Sequence, residues 1–387
     1  MEALAEGGFQ VGALAKCYYP EGIEVDDRDY ESSLRKTEEL LSSREVVIFE
    51  GAFRHKNLFV RADIIDKNGN TINLIEVKSK SFDGSDYRDM LSKKGFLDSK
   101  WRDYVYDVAF QKYVISKAHP DWNVHAYLML ANKNAVATVE GLNQKFLLKS
   151  FDGERTIVQI VGDVSRESLG NEILIRVCVD ELIDKIMTGT DTPNPPEQSF
   201  ADFIHQLADK YESDEKIVVP IHKDCKICEF QTTPEEEIEG KTSGLKECWK
   251  HQLGWDDDIF SLPWILDIWD FRNKQKLMDS GIYLMRDVNE SHIGDIKPST
   301  DGTLSRTERQ WLQVRKTVDK DNTPFINIEG LRKELESFTY PLHFIDFETS
   351  MVAIPFFRGR RPYQQIAFQF SHHTVNADLN IEHKGQY

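Results

Sequence analysis

The chain has 387 residues, 40% of them hydrophobic, and a formal net charge of -17. That length accommodates two domains, or one large domain with an appendage, with apolar residues enough for a sizeable core. The acidic excess weighs against passive coating of nucleic acid; no apolar stretch approaches the length of a membrane span, and MEALAEGGFQ has no leader-like pattern, so a soluble, cytoplasmic protein is expected.

In chain order, residues 28–43 read as a polar helix and Val46-Val47-Ile48-Phe49 as a short apolar strand. Residues 57–66 and 72–79 read as two strands joined by Asp66-Lys67-Asn68-Gly69-Asn70, a turn signal with Asn-Gly at its centre. Residues 101–118 have a helical period, and 123–131 form another apolar strand. A further pair of strands is expected near 156–161 and 172–178. Thr190 to Ser199, carrying Pro193, Pro195 and Pro196, reads as a linker. A cysteine-bearing segment runs from His222 to His251. Residues 262–285 and 307–318 then read as helices, and Pro341 introduces a strand over 342–347. This order favours a mixed α/β architecture, without internal repeats or low-complexity tracts.

Side chains alternate along a strand, so Ile72, Leu74, Glu76 and Lys78 share one face, as do Phe59, Arg61, Asp63 and Ile65. The turn brings Asp63 to Leu74 or Glu76, directly opposite or diagonal. Two carboxylates and an ammonium then converge on a largely apolar hairpin. Such a pair suits Mg²⁺ or Mn²⁺, which takes oxygen ligands and retains waters. The metal activates a water and stabilises charge on a phosphate. An adjacent lysine orients or deprotonates that water, or neutralises the phosphate. On geometry alone, an exposed cross-strand ion pair explains the same residues equally well.

The next helix shifts the balance. Trp101, Tyr104, Val105, Val108 and Ile115 form one apolar stripe, and Gln111 falls inside it. A buried amide needs partners, so it is either satisfied structurally or aimed into a polar site. The acidic hairpin just upstream favours the site. Basic pairs and triplets (Lys78 with Lys80, Lys93 with Lys94, Lys100 with Arg102, Arg358 with Arg360 and Arg361) read individually as solvated faces.

Val60-Arg61-Ala62-Asp63, then Leu74-Ile75-Glu76-Val77-Lys78-Ser79, then Asp107-Val108-Ala109-Phe110-Gln111 together resemble RecB-like nucleases of the PD-(D/E)xK superfamily. The resemblance implies a restriction-endonuclease-like core acting on DNA, with RNA as an alternative. It implies that Asp63 and Glu76 hold the metal, Lys78 acts on the water, and Gln111 supports substrate or site. Many members carry a His or Glu on an early helix; Gly8 to Ala15 contains neither, and Glu38 and Glu50 are weak substitutes.

Cys225-Lys226-Ile227-Cys228 is a C-x-x-C pair, Cys248 lies twenty residues on, and His222 and His251 flank the set. A zinc site would use Cys225, Cys228, Cys248 and His251. An iron–sulfur cluster would need a fourth thiolate, for which Cys17 is available. One cysteine before the core and three after it is similar to RecB-like nucleases of the AddB and CRISPR-adaptation lineages. That resemblance implies a 4Fe–4S cluster on Cys17, Cys225, Cys228 and Cys248, which is preferred over zinc. Cys178, in an apolar strand, is expected to be a core residue.

His343-Phe344-Ile345-Asp346-Phe347-Glu348-Thr349 is an apolar strand ending in Asp-x-Glu, with both carboxylates on one face, suiting shared metal binding. The run Phe344 to Thr349 resembles the first motif of DnaQ-type exonucleases with an RNase H-like fold, which need two further acids. The expected layout is a nuclease domain with the cysteine cluster over 1–255, a helical connector over 256–338, and an incomplete DnaQ-like region over 339–387. It resembles a bacterial family that pairs these two domains. The expected activity is metal-dependent hydrolysis of DNA, at single-stranded ends, in processing or defence. The alternatives are activity in the C-terminal domain, or a metal-stapled binding module without catalysis.

Overall fold

A computed structural model describes residues 2–27, 29–151, 155–193, 197–299 and 303–387. By its contacts the chain divides into two compact units. The first comprises Met1–Glu215, Phe344–His373 and His383–Tyr387; the second comprises Lys216–His343 and Thr374–Glu382. The fold is mixed α/β, and among the described residues no helix is long and apolar enough to cross a membrane.

The first unit opens with α1 (Glu2–Cys17), β1 (Ile23–Glu24) and α2 (Tyr30–Leu41). The meander β2 (Glu45–His55), β3 (Leu58–Asn68) and β4 (Thr71–Phe82) follows, then α3 (Ser99–Ala118) and β5 (Asn123–Asn132). Gly69, at φ 59°, opens the tight β3–β4 turn in which Asn68 pairs with Thr71. The β4–β5 pair is parallel, so a crossover is required, and α3 supplies it. That helix starts where the Asp98 carboxylate accepts the Lys100 N–H and stops at His119, just before Pro120.

The sheet is completed by β8 (Leu174–Cys178), giving the order β1-β2-β3-β4-β5-β8. Both faces are covered. Ile65, Ile72 and Leu74 pack with Trp101, Val105, Val108 and Ile115 of α3, whereas Ile64 and Ile75 pack with Val11 and Leu14 of α1. Neighbouring residues of one strand thus enter opposite cores, as the period of two requires.

Three expectations change. The segments near 156–161 and 172–178 do not pair with each other. β7 (Arg155–Ile160) pairs with β6 (Phe146–Phe151), its neighbour in sequence, while β8 pairs antiparallel with β5. Cys178 is exposed, because β8 is an edge strand that buries Leu174 and Val177 instead. Residues 262–285 are not one helix: between Pro263 and the left-handed Gly281 they contain a turn at Ile265–Asp267 and the short helix Lys274–Asp279. Asp270, also left-handed at φ 44°, interrupts the run. Of the expected linker, Pro195 and Pro196 lie outside the described residues. Asp191 is buried and accepts the Tyr106 hydroxyl at 2.8 Å, so this stretch is anchored.

In the second unit, Trp249 packs among Trp255, Trp264 and Tyr283, tilted against the two indoles and edge-on to the phenol. Arg306–Val318 is a helix, as its period indicates. Toward the C-terminus, β9 (Leu342–Ser350), β10 (Ile366–Val375) and β11 (Ile381–Gln386) form a sheet in the order β11-β10-β9.

Candidate active site

Asp63 sits near the middle of β3, where strand pairing fails on both sides. Toward β2, Phe49 pairs with Ile64 and Gly51 with Ala62, so Glu50 lies opposite Asp63, yet that pair is missing. Glu50 is left-handed at φ 56°, a conformation non-glycine residues seldom adopt. Toward β4, the ladder runs from Asn68–Thr71 to Ile64–Ile75 and stops; the next pair in register would be Asp63 with Glu76. The Val77 N–H donates instead to Asp63 Oδ2 at 2.7 Å. A backbone donor that the ladder has released is thereby satisfied by a side chain.

Glu76 is buried, only 6% exposed, on the α3 side of the sheet. Its Oε1 accepts from Lys78 Nζ at 2.6 Å and its Oε2 from Gln111 Nε2 at 2.9 Å. Lys78 and Gln111 both reach on to Asp107, at 2.9 and 3.1 Å. Glu76, Lys78, Asp107 and Gln111 thus close a ring between β4 and α3. Asp107 carries no motif of its own; its spacing of four from Gln111, which puts both on one helix face, is the signal the sequence holds. Gln111 Oε1 is buried without a partner among the described residues.

The surroundings are charged as well. Lys16, at the end of α1, pairs with Glu50 at 3.1 Å and Glu24 at 2.8 Å. From sequence Glu50 is only a weak substitute for an early-helix ligand, and no pattern marks Lys16. Past Lys78, β4 bulges: Lys78 pairs with Leu130 but Ser81 with Ala131, leaving Ser79 and Lys80 without partners in the β5 ladder. Lys80 Nζ then lies 5.2 Å from the Trp101 ring centre and 4.9 Å from that of Tyr104.

Burial pushes the Asp63 carboxyl up to about 6, with the Glu50 charge adding to it while the Val77 N–H, Lys78 and Lys16 oppose. Burial likewise pushes Glu76 up to about 8, reinforced by Asp63 and Asp107 and opposed by Lys78. For Lys78, burial works to lower the pKa, but Glu76 and Asp107 outweigh it and hold the ammonium charged. The Asp63 charge therefore works against ionising Glu76, as Glu50 works against ionising Asp63. A cation placed between Asp63 and Glu76 would relieve that repulsion.

The residues present fit a hard divalent ion in the chemistry of their donors: two carboxylates, beside an amide oxygen that lacks a partner among the described residues. Among the described residues, no group of three or more His, Cys, Asp or Glu side chains is arranged to hold a metal. The candidate ligands are the pair Asp63 and Glu76; Glu76, like Asp107, also accepts from Lys78 and Gln111. Mg²⁺ commonly uses only one or two carboxylates and keeps several waters.

All five cysteines are free. Cys225, Cys228 and Cys248 pack into the apolar cluster around Trp249 and Ile265 in the second unit. The His222 backbone N–H points at Cys225 Sγ, 3.5 Å away. His251 is exposed, one helical turn after Cys248. Cys17 belongs to the first unit, packed against the cluster of Val11 and Leu14, and burial raises its thiol pKa. Asp346 and Glu348 are both exposed on β9.

Residues 343–387 match the family described as a domain of unknown function, DUF2779. No curated protein and no solved structure matches the chain.

Proposed function

We propose that the chain is a metal-dependent nuclease that hydrolyses DNA phosphodiester bonds at Asp63, Glu76, Lys78 and Gln111. The observation that carries this reading is the interruption of both strand ladders at Asp63, which leaves two crowded carboxylates beside a lysine held protonated. The order of these residues, with its resemblance to RecB-like PD-(D/E)xK nucleases, supports the same assignment. Asp63 and Glu76 would hold Mg²⁺ or Mn²⁺, which when bound supplies an activated water and charge stabilisation. Lys78 is a poor base while Glu76 and Asp107 hold its proton, so its role is to donate hydrogen bonds and offset phosphate charge. Gln111 Nε2 fixes one Glu76 oxygen, and its buried Oε1, without a partner among the described residues, is an acceptor for a water.

The cysteine segment is assigned a structural role within this reading, as ligands of an iron–sulfur cluster or, with His251, of zinc. The C-x-x-C spacing of Cys225 and Cys228, with Cys248 packed against the same apolar cluster, supports it.

The test is cleavage of end-labelled single-stranded DNA by the purified protein with Mg²⁺ or Mn²⁺, against a chelator control. Asp63→Asn and Lys78→Ala are each expected to slow cleavage by about 100-fold or more, on the scale of losing a positioned catalytic group. Wild-type rates in either variant would remove the site from the mechanism.

A further inference from the structure

The segment between β9 and β10 is built into the first unit. Ala353 and Ile354 are buried in the same core cluster as Val11, Leu14 and Phe146. The Asn143 side chain, itself buried, donates to the Ile354 carbonyl at 3.0 Å. Backbone bonds then run in both directions: Gly141 N–H to Phe356 O at 2.9 Å, Ala137 N–H to Arg360 O at 2.9 Å, and Gly359 N–H to Ala137 O at 2.8 Å. Gly359, at φ 80°, makes the tight reversal that these bonds need.

What this anchored turn displays is basic. Arg358, Arg360 and Arg361 are all exposed, and among the described residues none of the three guanidinium groups has a carboxylate partner. The neighbouring Glu140 carboxylate is taken by the Arg358 backbone N–H at 3.0 Å rather than by its side chain. In a chain of net charge -17, three unpaired arginines on a rigid loop concentrate positive potential in one place. Phe357, 51% exposed, stands beside them.

The loop also lies next to the candidate site. Two residues after Arg361, the Tyr363 hydroxyl donates to the Ser79 carbonyl, in the bulge immediately following Lys78. Two residues span at most about 7 Å of chain. Lys80, in the same bulge, adds a cation over the Trp101 and Tyr104 rings.

We propose that residues 357–361 form a basic arm that guides a single strand of nucleic acid, leading its phosphates to the Asp63–Glu76 site, with Phe357 as a base-stacking platform. Cations that follow a backbone, interleaved with aromatic faces, are the general solution for binding single strands without reading sequence. This inference rests on the nuclease reading for where the strand leads, but not for the binding itself.

The experiment measures binding of fluorescein-labelled oligodeoxythymidine of about 16 nucleotides, the upper end of single-strand site sizes, by anisotropy in EDTA. The full chain is compared with the triple variant Arg358→Ala, Arg360→Ala, Arg361→Ala, and with a control removing three exposed cations on other elements of the first unit, Arg35 on α2, Lys56 in the β2–β3 turn and Lys117 at the end of α3. The arm variant is expected to bind at least about tenfold more weakly, with a salt dependence shallower by about 2 in log–log slope. The control is expected to stay within about twofold, and a triple Arg→Lys variant to recover most of the affinity. Equal binding by wild type and arm variant, equal losses in arm variant and control, or no binding by wild type would overturn the inference and leave an acidic protein surface as the arm's partner. Binding that depends on the arm, in a chain that cleaves nothing, would sink the nuclease reading and leave the guide standing.

Discussion

At the level of single residues, the Asp63–Glu76 pair ties protonation to stability. Ordinary carboxyl groups titrate near pH 4 when unfolded, whereas burial raises Asp63 to about 6 and Glu76 to about 8 in the folded chain. The folded state therefore binds more protons across this interval, and stability contributed by the pair is lost as pH rises from about 4 to about 8. Melting temperatures in EDTA are expected to carry this downward component, flattened in Asp63→Asn, whose amide oxygen still accepts the Val77 N–H. Mg²⁺ should flatten it as well, because a cation replaces the protons. Identical pH slopes in wild type, variant and Mg²⁺ would show that the carboxylates do not crowd. Asp63, Glu76, Lys78 and Gln111 were nameable from the sequence because alternation and helical spacing put them on facing sides. Asp107 was overlooked because a polar residue on a half-exposed helix position carries no mark until its partners are seen.

Among the elements, β2 is where local preference and tertiary arrangement disagree. Glu50 holds a left-handed backbone inside a strand, at a cost of about 1–2 kcal/mol for a side chain with a Cβ. Comparing Glu50→Gly with Glu50→Ala isolates that cost, since both remove the carboxylate and its Lys16 contact. The glycine variant is expected to be more stable by about 1 kcal/mol in denaturant melts. Equal stability would mean that the backbone is unstrained there. Nothing in Val46-Val47-Ile48-Phe49 foretells the break at the next residue. The strand pattern identifies β2, but the irregular residue is selected by what it faces across the sheet. The same holds for β7 and β8, whose strand character was readable while their partners were not. Pairing is a contest among all available edges, and β6 is the edge that β7 meets first along the chain.

For the whole molecule, two predictions concern regions outside the candidate site. Cys225→Ser is expected to remove bound metal from the purified protein and to lower the stability of the second unit, since a structural metal contributes folding free energy directly. Metal analysis and absorption near about 400 nm distinguish iron from zinc; protein without either metal would refute the assignment. Changing Asp346 and Glu348 together to Ala is expected to leave nuclease activity unchanged with Mg²⁺ or Mn²⁺. Both are exposed on β9, and a two-metal mechanism needs further ligands to clamp attacking and leaving oxygens. A clear loss with the fold preserved would relocate the active centre. From residue order alone came the α/β class, the β3–β4 hairpin, the apolar face of α3 and the candidates Asp63, Glu76, Lys78 and Gln111, because periodicity and turn chemistry are local properties. Only the tertiary structure decided that pairing fails on both sides of Asp63, that Asp107 and Lys16 join the charged network, and that a loop some 280 residues after Ser79 bonds to it. Those contacts depend on which distant surfaces meet, and no spacing within one segment records that.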